Sequence, residues 1–141
     1  MIEPEQNRAL EALNADYLGL FTVYLTALQK RLPDYKVIVT ETGRTKERQE
    51  FLKAKGASKT MHSNHLLGKA VDIALLDNAT GQIDWSDDAY KAAYALCDPR
   101  RYGLVSGGQL WDGFDYPHLE VLDEQAKYPA LVGSPEDVWL T

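Results

Sequence analysis

Ala70-Val71-Asp72-Ile73-Ala74-Leu75-Leu76 is the stretch on which the fold turns. It is aliphatic and partly β-branched, and Asp77-Asn78-Ala79-Thr80-Gly81 follows it as a turn, so it reads as a strand. Side chains alternate along a strand. Val71, Ile73 and Leu75 therefore share a core face, and Ala70, Asp72, Ala74 and Leu76 share the other. Asp72 points away from the core between two alanines, whose small side chains leave room beside it.

Outward from this strand the chain is easily divided. The polar loop 57–69 precedes it, and Gly68 in that loop lets the chain turn back so that His65 reaches Asp72. Upstream of the loop, Thr45 caps a helix that runs to about Lys55 and stops at Gly56. Val37-Ile38-Val39-Thr40 is a β-branched strand. Leu18, Phe21, Leu25, Leu28 and Leu32 recur at spacings of three and four, which predicts an amphipathic helix ended by Pro33-Asp34. Residues 5–16 read as a polar helix with Leu10 and Leu13 on one side. Downstream, Ser86 caps a helix to about Cys97, Asp98-Pro99 breaks it, Gly107-Gly108 reads as a turn, and residues 118–122 form a last strand. Helices come first, then strands mixed with helices, without a βαβ rhythm. The expected class is α+β, with helices packed around a small, mainly antiparallel sheet.

A chain of 141 residues suits one domain with one core. A hydrophobic fraction of 45% and a charged fraction of 26% are those of a soluble globular protein. The net charge of −6 disfavours a polyanion-binding surface, so nucleic acid is not expected as a partner. No apolar run approaches the roughly 20 residues of a membrane span, so membrane insertion is not expected either. Met1-Ile2-Glu3-Pro4-Glu5-Gln6 has neither the basic nor the apolar region of a signal peptide, which points to synthesis in the cytoplasm. The lone Cys97 rules out an internal disulfide and reads as a buried small hydrophobe.

The second informative segment is Asp115-Tyr116-Pro117-His118-Leu119-Glu120. Pro117 holds Tyr116 extended. His118 and Glu120 then share one strand face, while Leu119 turns to the core. Two histidines and a carboxylate, here His65, His118 and Asp72, make a common catalytic zinc set with a fourth position for water. Asp115, three residues before His118, lies within reach of that water without being a ligand. Either spacing taken alone is a weak signal.

The two strings together, S-x-H-x-x-G-x-A-x-D and D-x-P-H-x-E, resemble the zinc family of bacterial D-Ala-D-Ala carboxypeptidases and dipeptidases. Within it they are most similar to phage endolysins that act as L-alanyl-D-glutamate endopeptidases. The resemblance runs from about Val37 to Val121. Thr40-Glu41-Thr42-Gly43-Arg44-Thr45 matches a strand-end arginine motif. Glu47-Arg48-Gln49 and Ser58-Lys59-Thr60 match the endopeptidase branch, and Gly107-Gly108 and Trp111 precede the second motif as they do there. Gln109-Leu110-Trp111 departs from relatives in which the tryptophan directly follows Gly-Gly-Asp.

The resemblance implies His65, Asp72 and His118 as ligands of one Zn2+, Asp115 as general base and Arg44 as a substrate-facing cation. It implies a Hedgehog/D-Ala-D-Ala peptidase-like fold with the zinc site on the sheet. Residues 1–141 are then one zinc peptidase domain, with N-terminal helices near 5–32 and a catalytic core near 36–122. The implied activity is hydrolysis of an amide in peptidoglycan stem peptides, between L-Ala and D-Glu, by a monomeric phage-type lysin acting on the wall after release. A D,D- or L,D-carboxypeptidase is the enzyme alternative, and a non-catalytic zinc-bound wall-binding module the alternative of another class.

Other residues have plainer readings. His62 has no place in the family pattern and reads as a loop residue. Ser63 supports the His65 loop, and Glu120 can orient a ligand from outside the metal's own shell. Asp77, Asn78, Thr80 and Asp84 are oxygen-rich enough for a calcium loop, but their spacing does not fit one and a hairpin turn is the better reading.

Overall fold

The computed structural model of the chain describes residues 3–57 and 63–122. Ser58, Lys59, Thr60 and His62 lie outside the described residues. The sheet holds β1 (Tyr35–Glu41), β2 (Ala70–Asp77), β3 (Ile83–Asp84), β4 (Leu104–Ser106) and β5 (His118–Val121). Its order is β1-β2-β5-β4, with β3 paired to the far end of β2. Every one of these pairings is antiparallel. The helices are α1 (Ala15–Arg31), α2 (Lys46–Lys55), α3 (Asp87–Leu96) and the single turn α4 (Gly107–Leu110). Among the described residues, no helix is long and apolar enough to cross a membrane.

The alternation read from β2 separates core from site. Val71, Ile73 and Leu75 are fully buried and cluster with Leu119 of β5, Leu104 of β4, the inner face of α1 and Tyr90, Ala93 and Tyr94 of α3. Each large aliphatic side chain removed from water there contributes about 2 kcal/mol. Tyr24 belongs to the same core and stays satisfied because its hydroxyl donates to the Cys97 carbonyl at 2.8 Å.

The inner face of α1 is rotated from the leucine stripe expected of it. Tyr17, Leu20, Phe21, Tyr24, Ala27 and Leu28 are buried, whereas Leu18 and Leu25 are only partly so. Two tyrosines with apolar rings outcompete leucines for the centre of the face, and a leucine count does not see them.

Residues 5–16 do not form the expected helix. Residues 5–14 carry only one 3-10 turn, at Leu10–Ala12, and α1 starts after Asn14, whose side chain accepts from the Asp16 N–H at 2.9 Å. This segment finds its hydrogen bonds on the end of β1 instead: the Thr42 N–H donates to the Asn7 carbonyl at 2.8 Å. Gly107-Gly108, expected as a plain turn, open α4. Ser106 caps it, and Gln109 bonds back to the Ser106 N–H in a capping box.

Candidate metal centre

The register of the sheet assembles the site. Asp72 of β2 pairs with His118 of β5 on one side and with Glu41 of β1 on the other. A register shift between Val39 and Glu41 marks a bulge, which moves Glu41 opposite Asp72. Glu41, Asp72 and His118 therefore stand in one row across three strands. His65 enters from the loop before β2, which folds back through Gly68 at φ 66°. A side chain at 68 would collide with the backbone of Asn14, so only glycine fits that return.

His65 and His118 converge on one oxygen. His65 Nε2 lies 3.1 Å and His118 Nδ1 3.0 Å from Asp72 Oδ1, and all three residues offer ligand atoms within 4.8 Å of one another. The other nitrogen of each ring settles its tautomer. His65 Nδ1 is 2.7 Å from the Thr42 carbonyl, which can only accept, so that nitrogen carries the hydrogen. His118 Nε2 likewise donates to Glu120 Oε1 at 2.8 Å. Two bare nitrogen lone pairs then face a carboxylate oxygen, an arrangement that needs a cation or extra protons at its centre. Both rings are buried, at 2% and 5% exposure.

The electrostatics point the same way. Burial would raise Asp72, but hydrogen bonds to His118 and His65 outweigh it and hold the carboxyl well below the usual range. Burial would lower His118, but Asp72 and Glu120 outweigh it and push the ring up to about 9. Two imidazole nitrogens and a carboxylate, with ligand atoms this close together, are a donor set that fits zinc. Glu120 was read as able to orient a ligand from outside the metal's own shell, and it does touch His118. Its second oxygen accepts from Asn64 at 2.6 Å, so one carboxylate ties His118 to the loop carrying His65.

Asp115 lines a cleft of 830 Å³ together with His65, Asp72 and His118. It sits at φ 58°, in the left-handed region that non-glycine residues rarely enter. Burial and then the Asp72 charge raise its carboxyl above the ordinary aspartate range. The Gly-Gly pair explains the close fit of this segment. A side chain at 107 would overlap the Asp115 carbonyl, and one at 108 would overlap the Tyr116 ring. Trp111 packs its ring 5.1 Å from that of His118 and is half exposed beside Phe114 on the cleft rim.

Arg44 also lines the cleft, but its fork is already engaged. Nη2 and Nε bind the two oxygens of Glu41 at 2.7 and 3.1 Å, and Nη1 binds Gln49 at 2.7 Å. Glu41 is shared with Arg48 at 2.6 Å, and the group is buried. Arg44, expected to face substrate, is thus paired with Glu41 in the interior. Glu41 escaped the sequence reading, because only the bulge puts it beside Asp72. Arg44→Ala is expected to destabilise the fold by about 2 kcal/mol, the cost of losing charge-assisted hydrogen bonds to a buried carboxylate that Arg48 still holds. A thermal melt that does not move assigns Arg44 to the substrate alone.

The oxygen-rich segment after β2 is a hairpin turn. The Asp77 side chain accepts from the Ala79 N–H, the Thr80 hydroxyl from the Gln82 N–H, and Asp84 from Ser86. Those oxygens serve the turn itself.

Known proteins match this architecture. A crystal structure of the Serratia marcescens L-Ala D-Glu endopeptidase ChiX aligns with a TM-score of 0.64 and 25% identity, over 85% of this chain and 88% of that one. VanYB, solved with D-alanine-D-alanine, aligns with a TM-score of 0.52 and 17% identity, over 89% of this chain and 81% of VanYB. The fold is that of the D-Ala-D-Ala peptidase-like proteins. The LdcB LD-carboxypeptidase shares this fold at a TM-score of 0.58 and 16% identity, over 90% of this chain and 65% of LdcB. In sequence, the chain is 39% identical over 89 residues to the L-alanyl-D-glutamate peptidase of Listeria phage A118. The match takes in 60% of this chain and only 30% of that relative's length. No family model matches the chain.

Proposed function

We propose that the protein is a zinc peptidase that hydrolyses the L-Ala–D-Glu amide of peptidoglycan stem peptides. The observation that carries this reading is the convergence of His65, Asp72 and His118 at the floor of a cleft whose wall presents Asp115. The likeness to ChiX and to the phage A118 peptidase supports the choice of bond. His65 Nε2, His118 Nδ1 and an Asp72 oxygen would hold the ion. Zinc, when bound, supplies Lewis-acid polarisation of a carbonyl and a water acidified to near neutrality.

The chain's own groups do the rest. Asp115 accepts a proton from the attacking water and returns it to the leaving amine. Its raised pKa makes that return easier than for an exposed aspartate. The Thr42 carbonyl and Glu120 keep both imidazoles in the tautomers that leave a lone pair for the ion. Trp111 and Phe114 wall the cleft beside His118 and bound the space that the stem peptide enters. In the setting we favour, a phage-type lysin, the protein is made in the cytoplasm as a monomer and meets the wall after release.

Digestion of purified peptidoglycan, with the new termini identified by mass spectrometry, tests the reading. The expected products are glycan retaining L-Ala and a free peptide with D-Glu at its N-terminus. Release of D-Ala, or stems shortened only at the C-terminal end, transfers the protein to the carboxypeptidases. No cleavage by the zinc-loaded protein leaves a binding module.

A further inference from the structure

We propose that residues 3–9 act as a strap that positions the metal ligand His65 through Thr42; this rests on the zinc reading above. Thr42 is fully buried and uses every polar group it has. Inward, its carbonyl accepts the Nδ1–H of His65 at 2.7 Å. Outward, its N–H donates to the Asn7 carbonyl at 2.8 Å, and its hydroxyl donates to the Ala9 carbonyl at 2.8 Å. One residue is thus gripped by the strap on one side and grips the ligand on the other. The neighbouring backbone repeats the pattern. Asn7 Nδ2 donates to the Gly43 carbonyl at 3.0 Å, and the Arg44 N–H donates to the His65 carbonyl at 2.8 Å.

The strap is held by polar contacts rather than by a core. None of residues 3–9 is buried. Gln6 Nε2 donates to the Thr40 carbonyl. Arg48 reaches Glu3 at 2.9 Å, the Pro4 carbonyl at 3.1 Å and Gln6 at 3.1 Å, while its Nε holds Glu41. A segment that buries nothing apolar yet makes this many bonds to residues 40–48 acts on their geometry. The end of β1 is bulged and lacks regular pairing there, so the strap supplies the partners that a further strand would have supplied. Partners that orient a ligating histidine through its second nitrogen govern metal affinity by 10–100-fold in general.

The test uses the full chain and a variant with Glu3→Ala, Gln6→Ala and Asn7→Ala, which loosens the strap by removing its side-chain bonds to Thr40, Gly43 and Arg48 and leaves Thr42 and His65 unaltered. Zinc affinity is read by competition with a chelator, well below the melting temperature. The Nδ1–H signal of His65 is read by NMR. The strap predicts a zinc Kd weakened about tenfold. It also predicts loss of the His65 ring N–H signal to water exchange, while the His118 Nε2–H on Glu120 stays visible. A merely stabilising segment lowers the melting temperature and leaves both the Kd and the ring signal alone, and that result overturns the proposal. Should the triple variant fail to fold, Thr42→Val removes only the hydroxyl donor; it is expected to weaken zinc in the same direction, and an unchanged Kd there overturns the proposal equally. If the wild type binds no zinc, the zinc reading falls by itself, and the His65 ring signal still decides the strap.

Discussion

Alanine at His65, Asp72 or His118 is expected to strip the zinc from the protein and to bring hydrolysis to background. Three protein ligands leave no redundancy, because a closed set of three plus water is the minimum for a catalytic zinc site. The loss of Asp72 is expected to be the most damaging to metal binding, since both imidazole nitrogens face its Oδ1 at 3.0–3.1 Å and, among the described residues, no other carboxylate joins that cluster. Zinc content after gel filtration reads the outcome directly. Melting curves give an independent measure, because a ligand that binds only the folded chain stabilises it by about 2.7 kcal/mol at a hundred times its Kd. Added zinc should therefore raise the wild-type melting temperature and leave the three variants flat. His62→Ala is the control and is expected to keep its zinc. Stoichiometric zinc in all three alanine variants would falsify the site.

Asp115→Asn separates proton transfer from metal binding. The amide has the carboxylate's shape, so the left-handed backbone at 115 is retained, as asparagine tolerates that region as well as aspartate does. It has no carboxylate to take a proton. Zinc affinity should stay within a few-fold of wild type, while turnover falls by about 10²-fold or more, the usual scale for a lost general base. Steady-state kinetics on a defined stem peptide, run beside the zinc titration, checks both halves. Turnover at half the wild-type rate removes Asp115 from the mechanism. Loss of zinc makes it a ligand instead.

Much of the site is written locally. The alternation of Val71, Asp72 and Ile73 decides that Asp72 leaves the core, and Leu119 does the same for His118 and Glu120, because a strand has only two faces. Caps at Thr45 and Ser86 and the stop at Gly56 are local backbone chemistry, so they stand where the residues predict. Residues 65, 72, 115 and 118 stood out because the two strings that hold them, taken together, resemble those of one peptidase family; either spacing alone is a weak signal.

What needed the tertiary structure was every relation between segments far apart in the chain. The α1 face turned toward its tyrosines because the core it meets also contains α3 and the sheet. Residues 5–14 gave up a helix because Thr40, Thr42 and Gly43, at and just past the end of β1, offered them hydrogen-bond partners, and helix propensity is too small to compete. Glu41 joined the site through a bulge, which shifts register by one residue and so changes which neighbours a side chain meets. The amino-acid sequence by itself determined the strand faces and the caps, since these depend on residues within a turn or two. Only the tertiary structure decided the tautomers of His65 and His118, the partner of Arg44 and the place of the strap, since those are set by hydrogen bonds between atoms that the chain brings together only on folding.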